Sequence, residues 1–165
     1  MIFLNLSGRN DWSSTLAANN RSFFYPSASV SFLFSELMKD NNILSYGKLR
    51  AGISQTGNDA GVYLINSIYP QTTLTDGYRN LNFPLAGPIN GFSLGNRLGN
   101  PDLKSELTSE MEFGKDLRFI KNRIGIDFTY YDRTTTDLIW NVTLPSSTGL
   151  TTQTRNLGKV TNKGI

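Results

Sequence analysis

The amino-acid sequence predicts an all-β fold, an antiparallel transmembrane β-barrel segment of about 6–7 strands. Three observations lead there. First, Leu107, Met111, Phe113, Leu117 and Phe119 are apolar, and the interleaved Thr108, Glu110, Glu112, Asp116 and Arg118 are polar. After a short Lys121-Asn122 turn, Ile124, Ile126, Phe128 and Tyr130 stand against Arg123, Asp127, Thr129 and Arg133. Period-two alternation gives strands with one apolar and one polar face. Second, the runs 104–120 and 123–133 each exceed ten residues, about twice the usual globular strand of roughly 5–6. Long strands with a charged second face suit a membrane barrel with a wet interior. Third, the connections after the first, third and fifth predicted strands are long, and those after the second and fourth are short. Membrane barrels have short periplasmic turns and long extracellular loops.

Each element follows from local pattern. Ile2, Leu4 and Leu6 alternate with Phe3, Asn5, Ser7 and Arg9, a first strand. Residues 10–21 are Asn- and Ser-rich, a loop. Residues 22–35 form the second strand, with Phe24, Pro26, Ala28, Val30, Phe32 and Phe34 on one side and Ser27, Ser29 and Ser31 on the other. Pro26 has no N–H to donate and belongs near the strand's start or at a bulge. Residues 35–42 read as a helical turn capped by Ser35. A third strand covers 46–56. Residues 57–101 are rich in Gly, Asn and Pro, with Val62-Tyr63-Leu64-Ile65 as a strand candidate; long structureless loops are uncommon and are usually functional or disordered. The fourth and fifth strands are the hairpin over 104–120 and 123–133, with the fifth continuing through Leu138-Ile139-Trp140. Pro145 to Gly149 is a loop, and a final strand begins near Gln153. The loop pattern makes Lys121-Asn122 periplasmic. Phe23-Phe24-Tyr25 and Tyr130-Tyr131 then fall at the outer end, where barrels carry an aromatic girdle. Lys115 breaks the pattern. It lies on the apolar face near mid-band, where a lipid-facing Lys costs about 2–4 kcal/mol.

Composition narrows the classes. Hydrophobic residues are 38% of 165, and no run approaches the ~20 apolar residues of a membrane helix. Only alternate residues of a barrel strand face lipid, so a barrel is compatible with this. The net charge is +3 with both signs interspersed, which leaves no nucleic-acid footprint. There is no Cys and no His, so thiol nucleophiles and His-based triads are unavailable within the chain, and no cofactor or metal site is expected. Residues 1–6 lack the basic and apolar regions of a signal peptide. The chain is expected to be a piece of a longer protein.

Candidate chemistry is sparse. Glu110 and Glu112 share a face about 7 Å apart, within the loose range for inverting glycosidases, but they read better as charges of a hydrated wall with basic partners. Ser45-Tyr46-Gly47-Lys48 matches S-x-x-K without the accompanying Ser-Asp-Asn or Lys-Thr-Gly, and it opens a strand. Asn5, Asn20 and Asn141 begin sequons. Asp76, Tyr78, Arg79 and Asn80 sit in the longest loop; a charged pair beside an aromatic ring is what a polar, sugar-like ligand needs. No enzymatic activity is expected.

Several ordered motifs resemble one family. They are Arg9-Asn10-Asp11-Trp12-Ser13-Ser14, Tyr25 to Ser31, Lys48 to Asn58 and Gly99-Asn100-Pro101-Asp102-Leu103-Lys104-Ser105-Glu106. Tyr130 to Ile139 and Asn156 to Ile165 complete the set. Together they resemble SusC-like TonB-dependent outer-membrane receptors, the starch-utilisation type, over nearly the whole chain. The resemblance implies a barrel of roughly 22 strands, of whose single domain residues 1–165 would be part, with the plug domain absent. It further implies TonB-dependent import of oligosaccharides or peptides through the outer membrane of a Gram-negative bacterium. A SusD-like surface lipoprotein, TonB and outer-membrane lipid are the implied partners. A soluble or secreted carbohydrate-binding β-sandwich is the alternative; it explains the alternation and the sequons but neither the strand lengths nor the loop asymmetry. A siderophore receptor of the same architecture is a third reading, which the motif set disfavours.

Overall fold

The computed structural model describes residues 1–38, 43–75, 77–84 and 90–165, and of Leu74 the backbone alone. Its strands are β1 (Ile2–Trp12), β2 (Ser22–Leu33), β3 (Leu44–Asn58), β4 (Thr73–Thr75), β5 (Asn80–Asn82), β6 (Arg97–Leu98), β7 (Glu106–Phe119), β8 (Ile124–Thr136), β9 (Ile139–Thr143), β10 (Thr152–Asn156) and β11 (Lys159–Gly164). Six of them form one sheet in the order β1-β2-β3-β7-β8-β11, antiparallel throughout. The sheet is open, with β1 and β11 at its edges. β6, β10 and β9 make a second, three-stranded sheet, and β4 and β5 a small hairpin.

The expected hairpin is β7–β8. Asp116 faces Asp127, Glu112 faces Tyr131 and Glu110 faces Arg133, the register a two-residue turn demands. Lys121 and Asn122 have φ of 53° and 64°, and the Arg123 N–H donates to the Ile120 carbonyl at 3.2 Å. Positive φ at both central residues matches the right-handed twist of the flanking strands. Ile120 also sits at φ 52°, an uncommon place for a β-branched residue.

Register carries one alternation across the whole sheet. Leu4, Val30, Ala51, Phe113 and Tyr130 form one transverse row, and Ile2, Phe32, Leu49, Lys115 and Phe128 the next. This apolar face is bare: Leu4, Ile53, Met111, Phe113, Ile126 and Phe128 are all exposed. Among the described residues no second sheet packs on it, as expected of a lipid-facing wall and not of a sandwich core.

Burial lies elsewhere. Leu16, Ala60 and Leu103 form a small core, with Phe23, Leu64, Ile65 and Ile139 packed against it. These residues come from the connections and strand ends at one rim of the sheet. The opposite rim holds the connections 34–43 and 120–123, which touch each other: Ile120 N donates to Ile43 O at 2.9 Å.

Several expectations need correction. The long connections are 59–105 and 137–158, but 13–21 and 34–43 are alike in length. The loop asymmetry therefore rests on β3–β7, β7–β8 and β8–β11. Ser35 caps nothing; Ser35–Leu37 is one 3₁₀ turn with Phe34 before it, and residues 39–42 lie outside the described set. Val62 and Tyr63 form a turn, with Tyr63 at φ 59°. The fifth strand breaks after Thr136, where Asp137 takes φ 56°, and the final strand is two, β10 and β11. Pro26 sits inside β2. Phe34 N donates to Gly47 on β3, so even positions of β2 donate toward β3. Pro26 is even, and the β2–β3 ladder ends at Ser27–Ser54, so its missing donor leaves no gap. Neighbouring aromatics cannot share a face. Phe24 and Tyr130 lie on the apolar face, whereas Tyr131 lies opposite Glu112 on the polar one. Tyr25 is buried and stacks on Phe23 at 6.3 Å.

Candidate ligand-facing site

The polar face of the sheet is a network of ion pairs. Arg50 on β3 reaches Glu112 at 3.4 Å, and Asp127 at 3.5 Å, and donates to Thr129 Oγ1. Gly114 makes room for it; a Cβ there would sit 2.1 Å from Arg50 Nε. Arg133 holds Glu110 at 2.8 Å, and Arg118 lies 5.5 Å over the Tyr46 ring. These groups are partly exposed, so each pair contributes about 0–1 kcal/mol. Ser29, Ser31, Lys48, Arg50 and Glu112 border a shallow groove of about 210 Å³. The surface can hydrogen-bond hydroxyl and amide groups. Glu110 and Glu112 are each paired with an arginine, as charges of a hydrated wall with basic partners would be. Ser45 Oγ accepts from Asn122 N at 3.3 Å and stands on a strand. Among the described residues no cluster of acidic side chains could hold a metal ion.

The longest connection has an ordered plan. Gly95 N donates to Ile68 O at 2.9 Å, Ser93 N to Pro70 O at 3.2 Å, and Thr72 N to Gly91 O at 3.0 Å. β4 and β5 continue this antiparallel pairing. Residues 68–72 and 91–95 are thus the two legs of a finger, side by side, and lead to the β4–β5 hairpin. Three of the four candidate ligand residues lie at its β4–β5 hairpin: Tyr78, 98% exposed, and Arg79 and Asn80, also exposed. Asp76 lies outside the described residues. The structure brings Tyr78, Arg79 and Asn80 together on one exposed hairpin, and none of them borders the polar groove in the wall.

At the rim the family-like motifs converge on one knot, which the sequence reading did not single out as a site. Asn156 Nδ2 donates to Lys104 O and to Asp137 O, both at 2.8 Å, and its Oδ1 accepts from Lys104 N at 2.8 Å. Glu106 accepts from Ile139 N at 2.9 Å and from Asn58 Nδ2 at 3.0 Å. Asn100 Nδ2 donates to Thr154 O at 2.9 Å. Leu103, fully buried, fills the core beneath. The available signal was the clustering of Asn, Gly and Pro in Gly99–Glu106, residues that replace backbone partners in turns.

On the apolar face Lys115 stands between Leu49 and Phe128 and is exposed. It makes no ion pair among the described residues. Nearer the rim Asp132 pairs with Lys163 at 2.7 Å, in the same row as Met111 and Ile53.

A family model described as TonB dependent receptor-like, beta-barrel matches residues 2–165. Curated relatives from Formosa agariphila include TonB-dependent receptor P26, 32% identical over 98% of this chain and 16% of its own length. TonB-dependent receptor P3 is 31% identical over 96% of this chain and 15% of its own. Among solved structures, the RagAB peptide importer in its 'closed-closed' state superposes with a TM-score of 0.82 at 29% identity, over 98% of this chain and 17% of that one. The RagAB peptide transporter gives a TM-score of 0.81 at 29% identity, over 99% of this chain and 17% of that one. The chain thus spans about a sixth of the relatives it matches.

Proposed function

The chain belongs to the TonB-dependent receptor β-barrel family, and we propose that it supplies wall strands and outer loops to a SusC-like importer of polar oligomers, oligosaccharides or peptides. The observation that carries this is the two-faced sheet: one bare apolar face, one ion-paired polar face, with five neighbouring strands of 11–15 residues. At roughly 2.5 Å of rise per residue along a tilted strand, such strands span the ~25 Å apolar band of an outer-membrane barrel. In lipid every backbone group must be paired, so the wall is closed by further strands of the same protein. A plug belonging to the parent protein, outside residues 1–165, fills the lumen. The polar face lines the lumen, the finger faces the medium, and a SusD-like lipoprotein covers the mouth. TonB supplies the energy, acting on the parent protein in a Gram-negative outer membrane.

Ligand capture falls to the loops, which a rigid wall positions. Asp76, Tyr78, Arg79 and Asn80 offer ring stacking and hydrogen bonds to a polar oligomer. The peptide importers among the solved structures support an oligomeric ligand. Deleting residues 70–95 is structurally mild, because the retained ends Tyr69 and Asn96 adjoin the hydrogen-bonded pair Ile68 and Gly95 and a short turn can rejoin the legs. In the full-length receptor this deletion is expected to weaken uptake of fluorescent oligosaccharide or oligopeptide mixtures, with membrane insertion unchanged. Unchanged uptake would remove the finger from the ligand path. Uptake that persists in a strain without TonB would overturn the receptor assignment.

A further inference from the structure

The base of the finger is clamped. Arg97 Nη2 donates to Tyr63 O at 3.2 Å, Gly99 N to Ser67 Oγ at 3.1 Å, and Asn100 N to Leu64 O at 3.0 Å. A Cβ on Gly99 would lie 2.4 Å from the Asn66 backbone, so the two legs stack with no side chain between them. The same segment binds the other long loop: β6 pairs with β10, Thr151 N donates to Asn96 O at 2.8 Å, and Gln153 Nε2 to Gly99 O at 3.2 Å. Below it, Asn156 uses both amide hydrogens and its oxygen on backbone groups of the two connections, Lys104 in one and Asp137 in the other. Glu106 ties Asn58, at the end of β3, to Ile139, at the start of β9.

We infer that Asn156 and Glu106 are positioning residues for ligand capture: they latch the connections 59–105 and 137–158 into one body, so that the finger keeps one place relative to the wall. The inference rests on the proposed capture of ligand by the finger. A loop that samples many places is binding-competent for only a fraction of the time, and apparent affinity falls by that fraction. Neither residue touches ligand; each acts on where the finger stands.

The test uses the full-length receptor with spin labels on exposed Tyr69 in the finger and Thr161 in the wall. Wild type is expected to show a narrow distance distribution and Asn156→Ala a broad one. In the same variant the half-saturation concentration for import of fluorescent oligopeptide or oligosaccharide mixtures is expected to rise roughly 5–30-fold. Maximal rate and the amount of folded barrel should stay unchanged. Asn58→Asp sets a carboxylate against the Glu106 carboxylate, where neither can donate, and is expected to act likewise. Adding Glu106→Gln supplies an amide nitrogen to the new carboxylate at position 58 while its oxygen still accepts from Ile139 N, restores the bond, and should return both distance and half-saturation toward wild type. This pair carries the test if Asn156→Ala fails to assemble. A distribution that stays narrow when the latch is cut overturns the inference, as does a broad one with unchanged half-saturation. A wild type that imports neither probe refutes the import reading, and the distances alone then decide the latch.

Discussion

Phe113→Lys in the full-length receptor is expected to destabilise the membrane-embedded barrel by about 2–4 kcal/mol, the cost of a lipid-facing lysine near the bilayer midplane. Phe113 lies on the bare face in the row beside Lys115, so the variant would place two like charges on neighbouring rows. The charge cannot turn inward, because adjacent side chains on a strand point to opposite faces. Ser29→Lys is the matched control. Ser29 borders the polar groove, where a lysine stays hydrated, and its effect should be within ±0.5 kcal/mol, as for ordinary surface changes. Denaturant unfolding in lipid vesicles reads both. Equal effects at Phe113 and Ser29 would mean that the two faces meet the same solvent.

Lys115→Leu should act in the opposite direction. The lysine is flanked across the strands by Leu49 and Phe128, with Phe113 and Leu117 two residues away on the same face. Its removal is expected to stabilise the barrel by about 2–4 kcal/mol in vesicles, seen as a higher unfolding midpoint at unchanged slope. A loss of stability would show that Lys115 meets an acceptor outside residues 1–165 and is retained for that contact.

The wall was legible because one rule controls it. A period-two pattern sustained over residues 107–119 and 124–130 fixes faces, and the Lys121-Asn122 turn fixes register, so the pairings of Glu110, Glu112 and Asp116 followed from the residues alone. The same rule should have separated Phe23, Phe24 and Tyr25, or Tyr130 and Tyr131, onto opposite faces; reading them as aromatic clusters ignored it. The rim was less legible because its bonds run between side chains and backbone groups far apart in sequence. Asn156 and Lys104, or Glu106 and Asn58, are joined by no local period. Asp137 breaks a strand whose apolar pattern resumes at Leu138 and Ile139, so the pattern alone passes through the bend. The finger hid its pairing because its legs carry little alternation: Gly91 and Gly95 are held by backbone bonds to Thr72 and Ile68, which any residue could make. Tyr78, Arg79 and Asn80 are proposed on their chemistry, and their common place at one hairpin is a fact of backbone pairing.

The proposed wall has a lipid face and a water face. A nitroxide scan of residues 107–119 in the full-length receptor, reconstituted in vesicles, tests it position by position. Period-two alternation is expected: labels at 111, 113 and 117 relaxed by oxygen, and labels at 110, 112 and 116 relaxed by a water-soluble paramagnetic quencher. Odd positions shielded from both agents would place them in a closed protein core, and water-soluble quenching at odd and even positions alike would place the strand outside the membrane; either result would overturn the lipid-facing wall.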